Sequence, residues 1–276
     1  MAKASADTRF ATPKPLKSHG PARIIAMCNQ KGGVGKTTTS INMSAALAEY
    51  GRKVLLIDFD PQGALSAGLG INAHDATTIY DLMLDRTIDP HTAIQHTDNP
   101  NLDVIPANIE LSAAEMKLVN EIAREQILAK ILKQVAPDYD AIIVDCQPSL
   151  GLLTVNALTA AHGVIIPLAT EFFALRGVAI LEDIIGKVKE GLNPALQLDG
   201  ILATMVDNRT LHSREVLERL KEAFGDKLFK SVVHRTVKFP DATVAQSPIT
   251  EFAPTSDAAE VYRSVAKELV ARGCVA

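Results

Sequence analysis

The chain has no tryptophan and only 4% aromatic residues, which leaves burial to aliphatic side chains. That composition suits a parallel sheet of Val, Ile and Leu covered by Ala- and Leu-rich helices. Cysteine is scarce as well: Cys28, Cys146 and Cys274 are too few and too scattered for a disulfide framework or a zinc site. Two of them flank apolar runs that read as buried strands, where cysteine behaves as a small hydrophobe. A reduced, cytoplasmic protein is the expectation that follows. No apolar run approaches the ~18 to 20 residues needed to span a bilayer. The N-terminus also lacks the apolar stretch of a secretory signal. A surplus of positive charge is missing too, with 28 basic against 32 acidic side chains and a net charge of −4. Any nucleic-acid binding must therefore use a local patch rather than bulk charge.

What is present is a chain of 276 residues, 47% apolar and 22% charged, enough for a sizeable core. Residues 1–22 show no helical or strand period and read as a flexible, mildly basic tail; a transit peptide is the alternative, since the stretch is short of acids. From residue 23 onward, short apolar runs alternate with helical segments. Strands are predicted at 23–29, 53–58, 102–106, 141–145, 163–169, 198–206 and 229–233. Helices are predicted around 36–50, 111–135, 152–161, 175–190, 211–224 and 256–272. Such alternation implies right-handed crossovers and an α/β fold, a mostly parallel twisted sheet with helices on both faces. No internal repeat or linker divides residues 23–276, which read as one domain.

The strongest signal is QKGGVGKTTT (30–39), which follows the first predicted strand and opens a helix, the context a phosphate loop requires. Gly32, Gly33 and Gly35 let successive backbone N–H groups, Val34's among them, point into one concavity. The following helix brings its positive N-terminal end, with Thr37 and Thr38, to the same spot. Lys36 then reaches β/γ-phosphates, and the Thr37 hydroxyl can ligate Mg2+. The run departs from the usual pattern because Gln30 stands where the first glycine would be, and a second lysine, Lys31, sits beside the glycines. A dinucleotide site fits poorly, since Thr38 occupies the place of a third glycine.

Two further strands end in acids. KVLLID closes on Asp58, followed by Phe59 and Asp60, and AIIVD closes on Asp145. Carboxylates at the carboxyl ends of buried parallel strands sit where ligands bind in open α/β sheets. Together with a phosphate loop they form a constellation for a Mg2+-bound nucleotide. Asp145 reads as the Walker B carboxylate, near the metal or its water, and Asp58 as a support for the metal's ligands. Asp60 is placed to orient the attacking water. Phosphoryl transfer needs little beyond positioning and charge neutralisation, so these groups suffice for slow hydrolysis.

The run KGGVGKTTTSINMSAALAEYGRKVLLIDFDPQGALSAGLG (31–70) resembles the ParA/Soj family of deviant Walker P-loop ATPases. DAIIVDCQPSLGLLTVNALTAA (140–161) and RTLHSREVLERLKEAFGDKLF (209–229) are similar to it too, and the likeness runs over residues 23–272. It implies ATP and Mg2+ as cofactors and an ATP-dependent homodimer in which Lys31 reaches the partner's phosphates, much as an arginine finger does. A ParB-like activator protein would stimulate hydrolysis and reset the monomer. It further implies non-specific binding of double-stranded DNA by the ATP dimer, and nucleoid association in that state. Residues 209–238 carry eight basic against four acidic side chains, and Arg209, Lys238 and Arg235 match the family's DNA contacts. The competing reading of this stretch is a solvated helix with pairs such as Glu215 and Arg219. The match loosens at 232–249, where His234 stands in place of a common proline and Ala242–Gln246 in place of an Ala-Pro-Ser-x-Gly run.

Two other readings of the scaffold are a membrane-acting switch and a metabolic enzyme. The first calls for a C-terminal amphipathic helix with basic and bulky apolar faces, whereas residues 258–276 have core-like spacing, and no stable membrane association is expected. An iron–sulfur component needs paired cysteine ligands, and Cys28 and Cys146 instead abut the nucleotide motifs. Lys36→Ala is expected to abolish nucleotide binding, which titration with a fluorescent ATP analogue measures directly.

Overall fold

A computed structural model describes residues 9–171, 174–207 and 209–276. Its centre is β1 (Arg23–Met27), whose side chains alternate between two apolar layers. Ile24 and Ala26 enter one and Ile25 and Met27 the other, the two-residue period of a strand buried on both faces. The phosphate loop follows, then α1 (Lys36–Glu49), β2 (Val54–Phe59), α2 (Ala64–Gly68) and α3 (Ile79–Leu84). Next come β3 (Gln95–His96), β4 (Leu102–Ile105), α4 (Leu111–Lys117), α5 (Ile127–Val135), β5 (Ala141–Cys146), α6 (Leu152–Ala160) and β6 (Gly163–Ala169). The chain closes with α7 (Ala174–Gly191), β7 (Gln197–Thr204), α8 (Leu211–Phe224), α9 (Lys238–Val244), α10 (Ile249–Phe252) and α11 (Asp257–Ala271).

The strand order is β3-β4-β2-β5-β1-β6-β7, parallel throughout except for the antiparallel edge strand β3. One layer of helices, α3 to α8, packs on the Ile24 side, and α1, α2 and α9 to α11 pack on the Ile25 side. Cys28 and Cys146 are buried in the first layer, with their sulfurs 3.2 Å apart, and Cys274 in the second; all three are free thiols.

Six of the seven predicted strands form at or within two residues of their expected bounds. The seventh does not. Residues 228–234 follow β7 through single parallel bridges at Leu228 and His234, because the amides of Lys230 and Ser231 donate to the buried Glu268 carboxylate of α11, each at 2.8 Å. The helix predicted at 111–135 is divided. Ala123 takes a left-handed φ of 55°, and a short 3-10 turn at Arg124–Gln126 leads into α5. Asn156 of α6 fixes the break: its Nδ2 donates to the Arg124 carbonyl (2.9 Å) and its Oδ1 accepts from the Leu128 amide (3.2 Å).

Residues 9–21 form no helix or strand and cross the edge of the sheet where the strands begin. Arg52 donates to the Lys14 carbonyl (2.7 Å), and the Asp140 carboxylate accepts from the Gly20 amide (3.0 Å) and lies 2.7 Å from His19 Nδ1. Residues 1–8 of the expected tail lie outside the described residues.

At that same edge Arg23 and Asp199 make an ion pair of 2.6 Å, and burial is the main force raising the Asp199 pKa against the pull of Arg23. The Asp199 carboxylate rests directly on Gly163, where a Cβ would overlap both of its oxygens. Gly163→Ala is therefore expected to lower stability by about 1–3 kcal/mol through overpacking. Gly186→Ala, in the interior of α7 with open space at its Cβ, is expected to raise stability by up to about 1 kcal/mol. Urea midpoints of the two variants check both signs.

Candidate nucleotide-binding site

The pairing of β1 with β5 and of β5 with β2 lines up the three motifs. Met27 stands opposite Asp145, and Asp145 opposite Asp58, so the loop and both carboxylates emerge side by side at one rim of the sheet. The loop itself turns on Gly33 (φ 70°) and Gly35 (φ 85°), a left-handed region that glycine enters without steric cost. Added Cβ atoms at Gly32 and Gly33 would meet nothing within 4 Å, so the cradle is open in front of them. Behind it the loop is braced. Thr204 of β7 donates to the Val34 carbonyl (2.8 Å), and Asn29 joins the Pro167 carbonyl (2.8 Å) to the Lys31 amide (3.0 Å). Gly35 passes directly into α1 without a side-chain cap, and Asn42 donates to the Thr38 carbonyl (2.7 Å).

Lys36 is 6% exposed and donates to the Lys31 carbonyl at 3.2 Å, closing the loop across its own mouth. Burial lowers its pKa, opposed chiefly by Asp145. Lys31 is the opposite case: its side chain is 55% exposed and pairs with Glu171 at the end of β6. Two lysines five positions apart thus differ in setting, one buried within the loop and the other exposed beside Glu171.

Asp145 is fully buried, and burial, followed by repulsion from Asp58, pushes its pKa up to about 7. Thr37 Oγ1 donates to one of its oxygens (2.7 Å) and Ser40 Oγ to the other (2.8 Å). Asp58 is raised to about 6 by burial, against hydrogen bonds from the Ser66 amide (2.9 Å) and hydroxyl (2.7 Å). Its second oxygen faces the Asp60 amide at 3.3 Å. Asp60 is half-buried and accepts from the Gln62 amide at 3.0 Å, within the turn that leads to α2. The donor set of a threonine hydroxyl and buried carboxylates is all oxygen, the chemistry a small hard cation such as Mg2+ requires. Asp58 and Asp145 repel one another, a repulsion that a divalent cation beside them would relieve.

Sequence reasoning missed Ser40 and Ser66. Ser40 follows Thr37 by one helical turn, a spacing that puts both hydroxyls on the face of α1 that meets Asp145. Ser66 stands in the first turn of α2, where its amide and hydroxyl meet the Asp58 carboxylate.

The three residues matched to DNA contacts are all exposed. Arg209 grips Asp207 through Nε and Nη2, each at 2.9 Å, and holds that carboxyl down at about 2. Arg235 is brought to the same place by the bridge between Val206 and His234, with its amide donating to the Val206 carbonyl (3.1 Å). Lys238 opens α9 a little further along. Asp207 and Arg235, with Thr170 and Glu171, line a cavity of about 190 Å³ beside the loop.

Among known proteins, a family model described as an AAA domain matches residues 22–198. The sporulation initiation inhibitor protein Soj of Bacillus subtilis is 47% identical over 252 residues, 91% of this chain and 99% of that protein. The chromosome partitioning protein ParA of Myxococcus xanthus is 44% identical over 252 residues, 91% of this chain and 88% of that protein. Among solved structures, cobyrinic acid a,c-diamide synthase of Mycobacterium smegmatis, with bound ADP and magnesium, superposes with a TM-score of 0.79 at 39% identity, over 90% of this chain and 94% of that one. A P-loop rim of this geometry, on a chain so nearly spanned by Soj and ParA proteins, places the chain in the ParA/Soj family of P-loop ATPases.

Proposed function

We propose that this chain is a partitioning ATPase that dimerises on ATP and Mg2+, rides on DNA as the dimer and is reset by hydrolysis. The observation that carries the reading is the contrast between its two loop lysines. Lys36 is buried in the cradle where its own nucleotide would sit, while Lys31 is carried at the rim with its charge directed outward to Glu171. A cation in that place is available to the phosphates of a second copy.

In this reading the amides of residues 32–38 and Lys36 hold the β/γ-phosphates, and Thr37 and Asp145 hold the metal, with Asp58 behind them. Mg2+, when bound, neutralises phosphate charge and fixes its geometry. Asp60 sits at the rim beside these carboxylates and orients the attacking water. Arg209, Arg235 and Lys238, doubled in a dimer, neutralise duplex phosphates, so binding is non-specific and depends steeply on salt. Soj and ParA proteins named for chromosome partitioning support a ParB-like activator as the partner and the nucleoid as the place of action. No helix among the described residues is long and apolar enough to cross a membrane. The likeness to a diamide synthase leaves an amide-forming ligase as the competitor, for which DNA would be irrelevant.

Binding to a non-specific duplex is measured with ATP, ADP or no nucleotide at two salt concentrations. ATP-dependent binding is expected, falling steeply with salt, and Arg209→Ala weakens it; equal binding in every nucleotide state would sink the proposal. In light-scattering measurements, Lys31→Ala is expected to keep much of its ATP binding yet remain monomeric. Asp60→Ala is expected to accumulate as a long-lived ATP dimer, and hydrolysis by that variant at the wild-type rate would remove the role given to Asp60.

A further inference from the structure

Between β5, which carries Asp145, and α6 runs a short loop, residues 147–151, that closes the rim next to both carboxylates. Its start is tied to β2 by the Gln147 amide, which donates to the Phe59 carbonyl at 3.3 Å, one residue before Asp60. Its end is the N-terminus of α6, where Gly151 occupies the cap position and offers no side chain. An acceptor for the first-turn amides must therefore come from elsewhere.

It comes from α4. Glu115 Oε1 accepts from the Leu153 amide at 3.1 Å and from Gln147 Nε2 at 3.3 Å. One carboxylate oxygen thus pins both ends of the loop, and its charge is favoured by the positive end of α6. The fit is close: a Cβ on Gly151 would overlap the Glu115 carboxylate. The Gly151 backbone (φ −78°, ψ −166°) is itself one that any residue adopts, so the glycine is required by Glu115 and not by the turn.

We propose that Glu115 is a positioning residue for ATP hydrolysis, acting through the 147–151 loop on the geometry at Asp145 and Asp60. Among the described residues its hydrogen bonds go to Gln147 and Leu153 and not to the phosphate loop or Lys36, so its effect belongs to the chemical step and not to nucleotide affinity. Displacements of about 1 Å at a reacting centre cost up to ~100-fold in rate.

The test uses the full chain and three readouts: single-turnover ATP hydrolysis, affinity for a fluorescent ATP analogue, and thermal unfolding. Glu115→Ala is expected to slow hydrolysis about tenfold, with affinity held within about twofold. Glu115→Gln, whose amide carbonyl accepts the same two bonds, is expected to recover most of the rate. Gly151→Ala is expected to reproduce the Glu115→Ala defect by expelling the carboxylate. In the double variant the added methyl meets no carboxylate, so the rate should be no lower than in Glu115→Ala alone. The proposal is overturned if Glu115→Ala hydrolyses at the wild-type rate. It is equally overturned if rate and affinity fall together with the melting temperature and Glu115→Gln restores none of them, which would make Glu115 a structural cap only. Additive losses in the double variant would also overturn it, since the two residues would then act independently.

Discussion

Five consecutive parallel pairs between β1 and β5, from Arg23 opposite Ala141 to Met27 opposite Asp145, set the geometry on which everything at the rim depends. A strand's side chains alternate faces, so a slip of one residue would turn Asp145 away from Thr37 and Ser40 and bury an apolar neighbour in its place. Burial is the main constraint on the register, since the interior of both strands is lined on each side by Ile, Val, Ala and Met. The apolar core and the polar site are therefore one structure: packing of Ile142 and Val144 on one side and Ile143 on the other determines where a carboxylate can stand.

That site is an expensive one to maintain. Lys36, Asp58 and Asp145 are all nearly excluded from water, and each is shifted toward its neutral form by burial. The shifts oppose what nucleotide and metal binding require, a charged lysine and charged carboxylates. Hydroxyls from Thr37, Ser40 and Ser66 partly offset the penalty by donating to the carboxylates. Perturbed groups clustered beside a backbone anion cradle are what a site tuned for charged ligands looks like, and here they coincide with the motifs.

The parts of this arrangement legible in the sequence were those written in contiguous residues. The glycines and lysines at 31–36, the acids closing β2 and β5, and the alternation of strands and helices all carry their own local signal. What stayed hidden depends on partners far away in the chain. Ser40 meets Asp145 over 105 residues, and Asn156, which breaks the predicted 111–135 helix, acts over 32 and 28. The strand predicted at 229–233 has the right composition, but two of its central amides, those of Lys230 and Ser231, are taken by Glu268, 38 and 37 residues on. Propensity cannot anticipate a competing acceptor that only the tertiary fold supplies.

The uncapped start of α1 couples phosphate binding to the stability of the fold. Gly35 gives the first-turn amides no side-chain acceptor, so a phosphate is the natural cap of the helix that also anchors α11 through Thr39 and Tyr262. By mass action, nucleotide at a hundred times its dissociation constant adds about 2.7 kcal/mol to stability. Loss of bound nucleotide would then weaken the fold itself, through α1 and the α11 it holds, as well as empty the site.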